Sequence, residues 1–171
     1  MSLRDIERAS IRAFLTDHAE LFGTRRVLDY GAGNQPYRQL IEDAGGTYTA
    51  YDDPSFPGAV TGSENACLDM RTKIPERFDV IVSTQCCQYM DEPEDEFNKM
   101  RVLLHPWGWL LMTGPINWPW RERDDRRRYT PTEVTDMLHR AGFSRVQVDV
   151  RASVKFEGEE WAIGWQAVAR P

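Results

Sequence analysis

The stretch Arg26-Val27-Leu28-Asp29-Tyr30-Gly31-Ala32-Gly33-Asn34-Gln35-Pro36-Tyr37 constrains the rest of the chain more than any other. Val27 and Leu28 suit a short buried strand, with Asp29 at its end. Gly31 and Gly33 carry no Cβ, so the backbone can turn tightly and a ligand can approach it closely. Pro36 suits the first position of a helix, where its missing N–H leaves nothing unpaired. A helix N-terminus facing a glycine loop favours polar or anionic groups. The stretch therefore predicts a ligand pocket at the carboxyl end of a parallel strand.

The elements that follow alternate. A helix with apolar positions Leu3, Ile6, Phe14, Leu15, Leu21 and Phe22 is predicted over about 3–22, with a Ser2/Asp5 capping box and Gly23 as its stop. Tyr37 to Ala44 reads as a helix ending at Gly45. Thr47 to Tyr51 is rich in strand formers, and a short strand is expected at 66–68. Phe78-Asp79-Val80-Ile81-Val82-Ser83 is the clearest buried strand, its apolar run suiting a parallel sheet covered on both faces. A helix follows from Pro93 to Leu104. Pro106-Trp107-Gly108 breaks it, and Trp109 to Thr113 forms the next strand. Residues 114–129 read as a long non-periodic loop, a length usually tied to function. Thr130-Pro131-Thr132-Glu133 starts a helix that runs to about Ala141, capped by Gly142. Strands at 145–150 and 164–169 close the chain as an antiparallel pair at the sheet edge. Alternation predicts an open parallel sheet, and 171 residues suit one domain, 1–171, with the first helix packed on it.

Composition narrows the class. A net charge of -6 argues against general nucleic-acid affinity. No apolar run reaches a membrane span. The mixed-charge start, Met1 to Glu7, lacks the core of a signal peptide, so a cytoplasmic protein is expected. Cys67, Cys86 and Cys87 suit neither a disulfide framework nor a zinc site. With His18, His105 and His139 far apart in sequence, no metal is expected. Cys86 and Cys87 read as packing residues, as do Trp107, Trp109, Trp161 and Trp165.

Three strand ends carry related chemistry. The first holds Asp29 and the Gly31/Gly33 loop. The second holds Asp52, 23 positions after Asp29, with Asp53 beside it. An acid there can accept from ribose hydroxyls. The third holds Asp69, able to accept from an adenine amino group, and Met70. In a parallel sheet these ends converge on one crevice, which describes a nucleoside site.

In this order and spacing the motifs resemble those of the class I S-adenosylmethionine-dependent methyltransferases of the broad small-molecule kind, over about residues 25–170. Val27 to Gly33 is similar to the family's first motif and Ala50-Tyr51-Asp52 to its ribose motif. Asp69-Met70 matches the adenine position and Phe78 to Ser83 the fourth strand. Arg101 to Leu110, Arg128-Tyr129-Thr130-Pro131 and Ala141-Gly142-Phe143 complete the pattern. The resemblance implies a Rossmann-like, doubly wound α/β fold: a mostly parallel seven-stranded sheet with an antiparallel C-terminal pair, in three α/β/α layers. It implies S-adenosyl-L-methionine as cofactor and S-adenosyl-L-homocysteine as product. The cofactor residues expected are Asp29, Gly31, Ala32, Gly33, Asp52, Asp53, Asp69, Met70, Ser83 and Gln85.

The sequence also departs from the family. Gln35 stands where many members have a third glycine, and Gln88-Tyr89 where related members have Glu-His. Asp124 falls near a place where others carry His. Ser83-Thr84-Gln85 lacks the Asn/Asp-Pro-Pro-aromatic motif of amino-group DNA methyltransferases, which argues against base methylation. Tyr89, Asp124 and Asp125 are the catalytic candidates. Gln88, Trp118, Trp120, Arg128 and Tyr129 are the acceptor candidates, with residues 114–129 as lid. The expectation is methyl transfer to oxygen or nitrogen of a small molecule, anionic or sugar-like, by a monomer or homodimer that binds neither membrane nor nucleic acid. The competing readings are a non-catalytic cofactor-binding module and an NAD-dependent oxidoreductase. Pro36, in place of the third glycine of Gly-x-Gly-x-x-Gly, opposes the latter.

Overall fold

The computed structural model describes residues 2–116, 127–156 and 158–171. Seven strands form one sheet in the order β3-β2-β1-β4-β5-β7-β6. They are β1 (Arg26–Tyr30), β2 (Thr47–Asp52), β3 (Leu68–Asp69), β4 (Phe78–Thr84), β5 (Leu104–Pro115), β6 (Arg145–Phe156) and β7 (Glu159–Arg170). Strands β1 to β5 pair in parallel. β7 runs antiparallel between β5 and β6, so the terminal pair closes one side of the sheet as expected, with β6 as the edge strand. The strand order reverses between β1 and β4, which opens a crevice at their carboxyl ends.

The buried strands send alternate side chains to opposite faces, as a pleated strand must. Leu28, Tyr30, Ile81, Leu110 and Met112 enter a core with Phe97 and Met100 of α3 (Pro93–Leu103) and Leu138 of α4 (Pro131–Arg140). Val27, Val80, Val82 and Leu111 face Ile11, Phe14 and Leu15 of α1 (Leu3–Asp17) and Ile41 of α2 (Arg38–Asp43). The result is three layers, α/β/α. Each fully buried Leu, Ile or Phe contributes about 1.5–3 kcal/mol, so both faces are needed to hold the sheet.

The Ser2/Asp5 and Thr130/Glu133 capping boxes form as expected. Several boundaries move. The first helix ends at Asp17, with His18 as its C-cap, rather than at Gly23, and a 3-10 turn covers 19–21. Pro36 does not begin a helix: it sits in a turn after Gln35, which adopts φ 58°, and α2 starts only at Arg38. Pro106-Trp107-Gly108 does not separate helix from strand. Leu104 already pairs with Phe78 and Trp109 with Val80, so the residues between them bulge from β5. Trp107 is 62% exposed in that bulge, stacked on His105, and is not a packing residue. Both terminal strands run longer than their apolar alternation indicated, because hydrogen bonding continues past it to the turn at Gly158.

Candidate cofactor and acceptor site

Two clefts lie side by side at the carboxyl ends of β1, β2 and β4. One, of about 570 Å³, is walled by the loop Gly31–Tyr37, by α1 through Arg4, Glu7, Arg8 and Ile11, and by Gln85, Gln88, Tyr89 and Arg128. The other, of about 840 Å³, is walled by Asp52, Asp53, Ser55, Phe56, Met70, Gln85, Cys86 and Tyr89, with α3 on its far side. Gly31, Phe56, Gln85 and Tyr89 line both, so one elongated ligand can span the two. Phe56 and Tyr89 face each other at 5.3 Å between ring centroids.

The clefts differ in charge. The larger has carboxylates from Asp52, Asp53, Asp91, Glu92, Asp95 and Glu96 against Arg71 and Lys99. The smaller has Arg4, Arg8 and Arg128 against Glu7. A ligand with hydroxyl or amino donors at one end and an anionic group at the other suits that polarity.

The glycine turn exists because of what crowds it. Gly31 has φ 77°, and a Cβ there would overlap the Cys86 sulfur and lie 2.8 Å from its Cβ. Gly33 has φ 51°, but a Cβ there would meet no atom within 4 Å and would project into open space. The loop is tied to β2 by its own amides. Gly31 N–H donates to the Tyr51 carbonyl at 2.8 Å, and Gly33 N–H to Asp52 Oδ2 at 2.6 Å. Asp52 Oδ1 accepts from Asp53 N–H at 2.8 Å. Burial pushes the Asp52 carboxyl up, and these two amides pull it down. Each oxygen keeps a second acceptor position.

Of the residues expected to hold the cofactor, Gly31, Ala32, Gly33, Asp52, Asp53, Met70 and Gln85 line one cleft or the other. Asp29 and Ser83 line neither: each sits one residue short of its strand's end, buried within the sheet, while Tyr30 and Thr84 beyond them reach the clefts. Asp29 is buried, takes a hydrogen bond from the Tyr48 hydroxyl, and is pushed up to about 7 by that burial. Ser83 Oγ donates to the Tyr30 carbonyl at 2.9 Å. Asp69 stands beside the larger cleft, its carboxylate forked by Arg71 at 2.6–3.0 Å. Among the acceptor candidates, Gln88 and Arg128 line the smaller cleft. Tyr129 turns into the core instead, with the Arg127 guanidinium over its ring. Tyr89 lines both clefts. Trp118, Trp120, Asp124 and Asp125 lie outside the described residues.

Two buried polar atoms on this wall, Gln85 Nε2 and Gln88 Oε1, have no partner among the described residues. A donor and an acceptor left unmade at a cleft wall carry a desolvation cost that a ligand can relieve. The wall of α1 was missed in the sequence, where only its apolar stripe was read. Arg4, Glu7, Arg8 and Ile11 are spaced i, i+3, i+4 and i+7, which places them on one face.

A family model described as a methyltransferase domain matches residues 4–148. The chain belongs to that family. None of the curated proteins matches it. Solved structures resemble it widely. The Burkholderia thailandensis 1,6-didemethyltoxoflavin-N1-methyltransferase, solved with 1,6-didemethyltoxoflavin and S-adenosylhomocysteine, has a TM-score of 0.71 at 21% identity, over 99% of this chain and 80% of its own. DhpI, solved with SAH, gives 0.69 at 16% identity over 99% and 87%. An S-adenosylmethionine-dependent methyltransferase from Mesorhizobium loti gives 0.67 at 15% identity over 97% and 98%. The fold is that of the class I S-adenosylmethionine-dependent methyltransferases, and the departures at Gln35, Gln88 and Tyr89 do not alter it.

Proposed function

We propose that the chain is an S-adenosylmethionine-dependent methyltransferase acting on an oxygen or nitrogen of a small molecule, anionic or sugar-like, and that residues 1–171 work as one domain. The observation that carries the reading is the pair of joined clefts of opposite charge at the strand-order reversal. Asp52 and Asp53 suit ribose hydroxyls. Met70 and Phe56 suit an adenine face. The open space over Gly33 and the unpartnered Gln85 and Gln88 atoms suit the rest of the ligand. Ser83 and Asp69 act through the backbone that they hold, and Asp29 through the Tyr48 hydroxyl.

When bound, the cofactor supplies an electrophilic methyl carbon on a sulfonium, which leaves as a neutral thioether. The protein must hold the acceptor in line and exclude water, and effective molarity alone can provide much of the rate. In this reading Gln88 and Tyr89, which line the smaller cleft, orient the acceptor, and Arg128 neutralises an anionic group on it. The structural neighbour named as an N1-methyltransferase is in keeping with a nitrogen acceptor.

Calorimetry with S-adenosylhomocysteine and with NAD tests the cofactor. The first is expected to bind and the second not to, and binding of NAD alone would refute the reading. Labelled cofactor against hydroxyl and amine acceptors, with and without a carboxylate or phosphate, tests the transfer. Tight cofactor binding with no transfer to any acceptor would favour a non-catalytic module.

A further inference from the structure

β6 is the outermost strand on its side of the sheet. It pairs with β7 from Arg145 to Phe156, and among the described residues nothing pairs with its outer side. A row of outward N–H and C=O groups of this kind is a template for another strand. Natural sheets blunt such an edge with proline, a bulge, a very short strand or charge. β6 has no proline. Its pairing with β7 is regular from Arg145 to Val150, and the register shifts only at Val150/Ala152 and Ala152/Ser153. Bulged strands bend, so the straight part of the edge is residues 145–150. Its charges are of opposite sign, Arg145 and Asp149, and so can meet across a pair of copies.

The side chains on this stretch divide by face. Val146 and Val148 pack against the core on the α4 side, and Val150 follows them, 52% exposed. Arg145, Gln147 and Asp149 alternate with them on the other face, all exposed. Arg145 lies directly opposite Arg170 of β7, a like-charge pair that disfavours the sheet. The Arg170 guanidinium is stacked over Trp109, whereas Arg145 has no ion pair among the described residues. A two-fold axis normal to the sheet pairs two copies of β6 antiparallel, residue i with j and j with i, and keeps each face on its own side. The axis must then pass through a residue, and the charges decide which. Through Val148 it would set Arg145 against Arg151 of the second copy. Through Gln147 it sets Arg145 against Asp149 of the second copy, and Asp149 against Arg145. The same register puts Val146 opposite Val148, a pairing of β-branched residues that suits a sheet, and Gln147 opposite itself. We propose that the chain forms a homodimer through β6, antiparallel and centred on Gln147, which joins the two seven-stranded sheets into one. None of residues 145–150 lines either cleft, so the pairing leaves both sites open.

Sedimentation velocity over a concentration series reads the association. Arg145→Asp sets acid against acid, and Asp149→Arg sets arginine against arginine, at both symmetry-related pairs. Each variant alone is expected to weaken the dimer about tenfold or more. Mixed in equal amounts the two should associate as well as wild type, because every acid of one copy then meets an arginine of the other. Both positions are exposed, so thermal melts should stay near wild type, and recovery on mixing excludes a loss of fold in either variant. Wild-type chain that stays monomeric up to about 1 mM would overturn the proposal and leave the edge to a strand of another protein. A dimer that both single variants leave intact would overturn it too, as would variants that fail to associate when mixed.

Discussion

Gly31 and Gly33 separate packing from binding, and the two alanine variants are expected to fail differently. Both glycines have positive φ, 77° and 51°, so either alanine pays about 1–2 kcal/mol of left-handed strain. Only at Gly31 does the added methyl collide, with Cys86 Sγ and with its Cβ at 2.8 Å. Overpacking of that kind costs about 1–3 kcal/mol more. Gly31→Ala should therefore lose about 2–5 kcal/mol and Gly33→Ala about 1–2. At this chain length 1 kcal/mol moves Tm by about 2–4 °C, so the melts should differ by roughly 2–12 °C. Adding Cys86→Ala to Gly31→Ala should restore only part of the loss, because the Cβ remains. In Gly33→Ala the methyl enters open cleft, and S-adenosylhomocysteine affinity should fall tenfold or more despite the milder melt. Equal melting losses for the two variants, or full affinity in Gly33→Ala, would refute this account of the loop.

Asp52→Ala removes the acceptor of the Gly33 and Asp53 amides. At about 1.5–3 kcal/mol for hydrogen bonds to a charged group, S-adenosylhomocysteine should bind roughly tenfold or more weakly; unchanged affinity in a titration would remove Asp52 from the site. Asp29 is raised from 3.8 to about 7, first by burial and then by Asp52, against the Tyr48 hydrogen bond. A folded pKa above the unfolded one means that the native state holds the extra proton between them. Stability should thus be higher at pH 4 and fall as pH rises to 7, by up to about 4 kcal/mol from this group. Asp29→Asn should flatten that slope in denaturant titrations across pH, and an unaltered slope would count against it. Thr130→Ala breaks a capping box and should cost about 1 kcal/mol in thermal melts with cofactor affinity intact.

The layered fold was legible because its signals are local. The apolar run Phe78–Ser83, the glycine stops at Gly45 and Gly142 and the two capping boxes each act within a few residues of where they are read. What escaped depends on partners far along the chain. The β5 bulge forms because Leu104 finds Phe78 and Trp109 finds Val80, and nothing in Pro106-Trp107-Gly108 itself separates a bulge from a break. The position of β7 inside the sheet is set by its pairing with β5, a contact across some 50 residues.

The site followed the same division. Asp52 and Met70 could be placed because strand ends in a parallel sheet share one edge. Asp29 and Asp69 sit at strand ends too, but their neighbours decide their accessibility: Tyr48 and burial for one, Arg71 for the other. The side of α1 was hidden for a different reason. A search for an apolar stripe assigns the polar positions of a helix to solvent, and Arg4, Glu7 and Arg8 are polar. The signal that could have found them is Glu7 between two arginines on the face that also carries Ile11, which is 2% exposed. A charged row continuous with a buried apolar residue runs along the rim of a packed helix, where charge meets a cavity and not only water.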